Sequence, residues 1–129
     1  MDWQWLGEVL VRALHSELLT QHGGAAGVRD GGLLQSALTR PLNVVAYGDA
    51  DIAALAASYA FGIARNHPFT DGNKRTAFAA AATFVEVNGY EMIASEPDVV
   101  TAMLALAAGE LSEEDIAAWF RTNTREMPA

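Results

Sequence analysis

Cysteine is missing altogether from this 129-residue chain. Its absence excludes disulfides and thiolate-held metals, and it fits a reducing compartment. Base is scarce as well: eight Lys and Arg stand against sixteen Asp and Glu, a net charge of −8 with a pI near 4.6. Such a surface repels phosphate backbones, so no direct nucleic-acid partner is expected. Long apolar runs are also lacking. The longest candidate, Ala77 to Val85, is far shorter than the roughly 18 residues a membrane span requires. Asp2 and Glu8 come early, and no basic segment leads into an apolar run. No signal peptide and no membrane association are therefore expected, and the default location is cytoplasmic. Repeats, linkers and low-complexity segments are absent too.

Apolar side chains are what the chain has in quantity, at 51% of its residues. One packed domain spanning residues 1–129 is expected, with disorder excluded. From Trp3 to about Gln21, Leu6, Val9, Leu10, Ala13, Leu14 and Leu18 fall at helical spacing, and Gly23-Gly24 ends the element. His15 and His22 are assigned structural or solvent roles, since neither has a ligand-like spacing to a carboxylate or another His. Residues 24–32 are Gly-rich, and composition alone makes them a connector. Val28-Arg29 could extend as a strand or hairpin arm, with Asp30 as an N-cap.

Leu33, Leu34, Ala37 and Leu38 predict a short helix stopped by Pro41, followed by loop to Asp49. Asp51 is placed to N-cap the next element. Asp51 to Asn66 is apolar on every face and nearly uncharged, so it should run through the middle of the domain. Asn73 to Asn88 has the same character after its first turn, and Asn88-Gly89 stops it. Tyr90 to Ser95 reads as extended or irregular. Ser95 then caps a helix with Pro97 in its first turn, and Ser112 with Asp115 forms a capping box for the last one. Ile116, Trp119 and Phe120 supply that helix's buried face. The expected architecture is all-α, five to seven helices, with room for a small hairpin near residues 24–31.

Between the two apolar helices lies HPFTDGNKR, residues 67–75. Gly72 permits a turn where a Cβ would clash. Asn73, Lys74 and Arg75 follow in the first helical turn, where free N–H groups and the helix dipole attract anions. Lys74 adds a point charge, and Arg75 a fork that matches two phosphate oxygens. Asp71, just before this cradle, is placed to share a Mg²⁺ with phosphates. His67 brings an imidazole, the side-chain type suited to proton abstraction from a hydroxyl near neutral pH. Each residue taken singly has an ordinary explanation as a cap, a solvated charge or a loop histidine. Together, between two buried helices, they point to phosphoryl or nucleotidyl transfer. The P-loop pattern fails because position 67 is His where a Gly is needed, and HExxH and GxSxG are absent.

HPFTDGNKR resembles the Fic-domain signature HxFx[DE]GNxR, and most closely its death-on-curing (Doc) branch, the toxins of toxin–antitoxin pairs. The likeness continues through GVRDGGLLQSALTRP (27–41), YAFGIARN (59–66), TAFAAAATFVEVNGY after the loop and LAAGELSEEDIAAWF near the end, which covers nearly the whole chain. It implies a helical fold whose loop binds ATP with Mg²⁺. It also implies a flap, here Val28, Arg29 and Asp30, that lays a target's backbone beside the loop. By resemblance His67 is the general base, Asp71 the metal ligand, and Gly72, Asn73, Lys74 and Arg75 the phosphate-binding set, with Lys74 and Arg75 also catalytic.

Adenylylating members of the family continue as GNGRxxR. Here Lys74 replaces the second Gly and Phe78 stands at the last Arg. Both changes disfavour the usual nucleotide orientation. Doc proteins of the NKR pattern imply a reversed ATP and transfer of its γ-phosphate to a Thr or Ser hydroxyl, with translation elongation factor Tu as target and an antitoxin protein as partner. The alternatives are AMP transfer, or a catalytically idle Fic-like binding module. Thr122 to Glu126 partly matches the inhibitory pattern [ST]xxxE[GN], but Met127 breaks it, and the end of the last helix is the expected reading.

Overall fold

The computed structural model describes residues 2–128. Six helices and one two-stranded sheet follow in the order α1 (Glu8–His22), α2 (Gly31–Ala46), α3 (Ile52–Asn66), α4 (Asn73–Val87), β1 (Tyr90–Met92), α5 (Glu96–Ala107), α6 (Glu113–Thr122) and β2 (Thr124–Glu126). Helix α3 is the axis, packed by α2, α4, α5 and α6. Leu55, Tyr59 and Ile63 on it are fully buried, and five of its alanines are buried with them. Alanine keeps the helix thin, so its neighbours approach closely at little side-chain entropic cost.

The expected caps form. Asp30 accepts from the Leu33 N–H, Asp51 from Ala54, Ser95 from Asp98, and Ser112 with Asp115 closes a reciprocal capping box. Asp51 also accepts two hydrogen bonds from the Arg121 guanidinium, at 2.7 and 3.0 Å, tying the start of α3 to the end of α6. That guanidinium, more than any other neighbour, holds the Asp51 carboxyl below its ordinary range.

Four stretches differ from the expectations. Helix α1 begins at Glu8, not Trp3. Residues before it stay extended because side chains satisfy their backbone: Asn88 bonds both the N–H and the C=O of Gln4, and the Tyr59 hydroxyl accepts from Leu6 at 3.0 Å. Trp3 and Trp5 lie over Phe84 instead of on a helical face.

Pro41 does not stop α2, which runs on to Ala46. A mid-helix proline costs about 3 kcal/mol, and tertiary burial outweighs it here. Leu34, Ala37, Leu38 and Pro41 itself are buried, and Val44 and Val45 pack on the core beyond it. The Ala37 carbonyl, deprived of its partner at Pro41, faces α3 at Gly62, where a Cβ would lie only 3.3 Å from that oxygen.

No hairpin forms at 24–31. Val28 instead makes an antiparallel bridge with Phe69, inside the HPFTDGNKR segment. Finally, α6 ends at Thr122, and Thr124–Glu126 is a strand, paired antiparallel with Tyr90–Met92. Glu126 therefore does not sit on a helix, and the partial inhibitory pattern has no helical counterpart.

The close approach at Gly62 gives a first test. Its missing Cβ would meet Ala37 Cα and Cβ at 3.1 Å. Gly62→Leu should lower unfolding free energy by about 1–3 kcal/mol through overpacking. Gly48→Ala, with open space around it, should stay within about 0.5 kcal/mol of the parent. Urea or thermal denaturation followed by circular dichroism measures both.

Candidate functional site

Helix α3 ends where His67 enters the left-handed region at φ 50° and ψ 54°, the only non-Gly positive φ among the described residues. For an L-residue this conformation costs about 1–2 kcal/mol, so something must hold it. The Arg29 guanidinium does. It donates to the His67 carbonyl at 2.9 and 2.6 Å and to the Asn66 carbonyl at 3.1 Å. A cation on the last carbonyls also complements the helix dipole. Beside it, the Arg29 and Asp30 N–H groups donate to the Pro68 carbonyl, and Thr70 N–H donates to Gly27. The segment expected to act as a flap is thus stitched along the motif. Arg29 serves there as a carbonyl clamp and Asp30 as an N-cap, and both remain exposed.

The motif then folds around Phe69, which is fully buried. Asn73 closes it: Oδ1 accepts from the Phe69 N–H at 2.9 Å, and Nδ2 donates to the Phe69 carbonyl at 3.0 Å. This pair fixes which end of the amide is nitrogen. The same Nδ2 lies 3.3 Å from His67 Nδ1. An amide nitrogen only donates, so at this contact Nδ1 accepts and the neutral ring carries its hydrogen on Nε2. At 3.3 Å the contact is longer than a good N–H bond, and turning the ring costs little. The side chain of Asn73 is buried in loop closure, so what it offers a ligand is its backbone N–H.

Asp71 is exposed and caught from two sides. Its carboxylate accepts from its neighbour Gly72 N–H at 2.8 Å and from Ala25 N–H at 3.3 Å. The first of these, then the second, draws its pKa below the ordinary 3.8, with smaller help from Arg75 and Lys74. Its carbonyl is bound separately, by His15 Nε2 at 2.8 Å. His15 is buried on α1 and stacks on Phe69, ring centroids 3.9 Å apart and 10° from parallel. A structural role for His15 was the expected reading, and the structure gives it a specific object: the motif loop. Its spacing in sequence, 56 residues from Asp71, left no local signal of that.

Gly72, at φ 77°, is the N-cap of α4 and supplies no capping side chain. The caps of α2, α3, α5 and α6 are all filled. Lys74, the chain's single lysine, and Arg75 follow, both exposed. Every other cation is engaged. Arg12, Arg40, Arg121 and Arg125 pair with carboxylates, Arg29 with carbonyls, and Arg65 lies over the Phe61 ring. Among the described residues, Lys74 and Arg75 alone among the bases have no such partner.

They stand on the rim of a cavity of about 680 Å³, with Asp71, Gly72 and Asn73 beside them. Phe78, Met92, Val99, Val100, Met103 and Leu104 make the wall beyond, while Leu18 and His22 close the α1 side. One end is cationic and the other apolar, the usual make-up of a small-molecule cleft. His67, Val28, Arg29 and Asp30 do not line it. Val28 borders a smaller recess of about 190 Å³ next to His15 and Phe69. The α5 wall was missed in sequence. Its signal was Val100 and Leu104, apolar one turn apart yet about half exposed, at 52% and 53%, on a helix whose core face is Ala102, Met103 and Leu106.

A buried helix pair carrying an anion-receptive loop at its head, written HxFxDGNxR, defines a Fic-type domain. A family profile described as "Fic/DOC family" matches residues 5–85. The chain belongs to that family. It is 34% identical over 106 residues to the "Protein kinase doc" of Escherichia phage P1, an alignment covering 81% of this chain and 83% of that one. It is 48% identical over 75 residues to the "Toxin Doc" of Mycolicibacterium smegmatis, covering 56% of this chain and 57% of the relative.

The Asp71 contacts predict a titration. A Cβ on Gly24, itself at φ +122°, would lie 2.8 Å from Asp71 Oδ2. Gly24→Ala should push the carboxylate off the Ala25 N–H, and the Asp71 pKa, read by carbon-detected NMR, should rise toward 3.8. Because the folded pKa lies below the unfolded one, the Asp71 contribution to stability is present above about pH 4 and lost as pH falls through the folded value. In Gly24→Ala that part of the acid dependence should flatten.

Proposed function

We propose that this chain is a Doc-type toxin that transfers the γ-phosphate of ATP to a Thr or Ser hydroxyl of a protein target. The observation that carries the reading is the pairing of two unpartnered cations, Lys74 and Arg75, with the uncapped start of α4 in an otherwise acidic molecule. An anion with several oxygens satisfies all of these groups at once. The cavity they border is large enough for a nucleotide, and the family relationship to a protein named as a kinase supports the phosphoryl reading.

In this reading the triphosphate lies across Gly72, the backbone N–H of Asn73, and the side chains of Lys74 and Arg75. Asp71 fits a Mg²⁺ that arrives with ATP. Among the described residues no group of three or more His, Asp or Glu gathers to hold a metal, and Mg²⁺ at nucleotide sites commonly takes one or two carboxylates plus phosphates and water. When bound, the ion neutralises phosphate charge. Asp71, its carboxyl held below the ordinary range and oriented by two N–H groups, would hold that ion through its carboxylate.

His67 acts from the other side of the loop. Once its ring leaves the weak Asn73 contact, a nitrogen lone pair takes the proton of the target hydroxyl. The oxygen then bonds the γ-phosphorus, the bond from phosphorus to the β–γ bridging oxygen breaks, and ADP departs. Lys74 and Arg75 follow the negative charge as it shifts. The 27–30 segment, pinned along the motif, is the edge beside which the target backbone would lie.

By resemblance the target is elongation factor Tu in the cytoplasm, with arrest of translation as the outcome. An antitoxin protein restrains the enzyme by setting a helix near the groove, where Val100 and Leu104 offer apolar surface. Neither nucleic acid nor membrane enters the scheme, and among the described residues no helix is long and apolar enough to cross a bilayer.

Lysate incubated with the protein and γ-³²P-ATP should acquire label on one protein, while α-³²P-ATP should give none. His67→Ala should slow transfer by about 10²- to 10⁴-fold and relieve growth arrest. Label from the α position would instead establish AMP transfer. Equal growth on expressing the wild type and His67→Ala, with no label from either nucleotide, would establish an idle binding module.

A further inference from the structure

We infer that His15 is a positioning residue for the nucleotide site: through the carbonyl of Asp71 it sets where the Asp71 carboxylate stands. The inference rests on the proposed nucleotide reading and adds to it a residue 56 positions upstream of Asp71 and off the cavity wall.

Three observations meet at this ring. His15 is 5% exposed, on a helix whose only other buried residue is Val11. Its face lies on Phe69 at 3.9 Å between centroids, and Phe69 is the residue that Asn73 clasps through both backbone groups. Its Nε2 sits 2.8 Å from the Asp71 carbonyl. A carbonyl only accepts, so Nε2 carries the hydrogen. A single imidazole thus holds the loop at two points, by stacking before Asp71 and by hydrogen bonding at Asp71 itself.

A polar ring is not needed merely to fill this space. Phe would pack on Phe69 at least as well and leave no polar atom to satisfy. The distinctive contribution of His is the directed N–H. It binds backbone, so it constrains the residue's position while leaving both carboxylate oxygens to Gly72, Ala25 and an incoming cation. The arrangement parallels the Arg29 clamp on the His67 carbonyl. The two chemistry-bearing residues of the loop are each held by their own carbonyl, from different parts of the N-terminal third.

Two substitutions separate the donor from the packing. His15→Phe keeps an aromatic ring on Phe69 and removes the N–H. His15→Gln removes the ring but places an amide Nε2 at the same number of bonds from Cα as the imidazole Nε2. Full-length variants are compared with wild type by calorimetric titration with Mg²⁺-ATP and by amide hydrogen exchange at residues 70–74. His15→Phe should weaken Mg²⁺-ATP about fivefold, the equivalent of one net hydrogen bond of about 1 kcal/mol. It should also speed exchange at 70–74 while its melting temperature stays at or above that of wild type. His15→Gln should recover most of the affinity and the protection.

Unchanged exchange and unchanged affinity in His15→Phe would overturn the inference, as would equal losses in Phe and Gln variants, which mark simple packing. Failure of wild type itself to bind Mg²⁺-ATP would overturn the nucleotide reading and its positioning corollary together. That result is distinguishable, because it does not depend on residue 15.

Discussion

The Asn73 amide and the Phe69 backbone make the bond pair on which the rest of the site depends. Phe69 could not be buried with its N–H and C=O unmet, because each would forgo water without replacement. Asn73 meets both from the first position of α4. That closure lets an otherwise polar loop sink one aromatic ring into the core. His15 then stacks on that ring, and Val28 bridges to the same residue through the backbone. The rigid parts beneath are α3 and α4, whose small buried residues bring the two helix ends close enough to be bridged by six residues.

Electrostatics divides the molecule sharply. The surface is acidic overall, and most cations neutralise a carboxylate or a carbonyl somewhere in the fold. These exposed pairs add little stability individually. Their effect is to leave the positive potential concentrated at Lys74 and Arg75, beside the positive end of a helix. A polyanion with compact charge meets one favourable spot on a repelling surface. An extended polyanion meets repulsion over most of its length. The same acidity that disfavours an extended polyanion leaves one compact spot suited to a small anion.

Much of this was legible in sequence, and the exceptions share a cause. The two central helices, the caps at Asp30, Asp51, Ser95 and Ser112, and the composition of the loop follow from local rules of period and capping, and they hold. Pro41 misled because propensity speaks only of the helix itself, while the burial of Leu34, Ala37 and Leu38 against α3 decides the outcome. Trp3 to Leu6 misled for a similar reason: helical spacing was present, but Asn88 and Tyr59, more than fifty residues away, offered the backbone other partners. Thr124–Glu126 pairs with a segment 34 residues upstream, and nothing in its own composition announces a strand. Within the site, the types of His67, Asp71, Lys74 and Arg75 were readable, whereas the partners that orient them were not. Arg29 and His15 act on backbone atoms, which carry no residue-specific mark.

The loop's tethers have a temporal consequence. His15 reaches Asp71 across 56 residues, and Arg29 reaches His67 across 38. Contacts so distant in sequence close only after the intervening chain has lost most of its freedom. A growing chain that has emitted the motif but not yet packed α1 and residues 24–30 against it has His67 and Asp71 present and unaligned. The chemistry therefore matures with the tertiary fold, not with the motif.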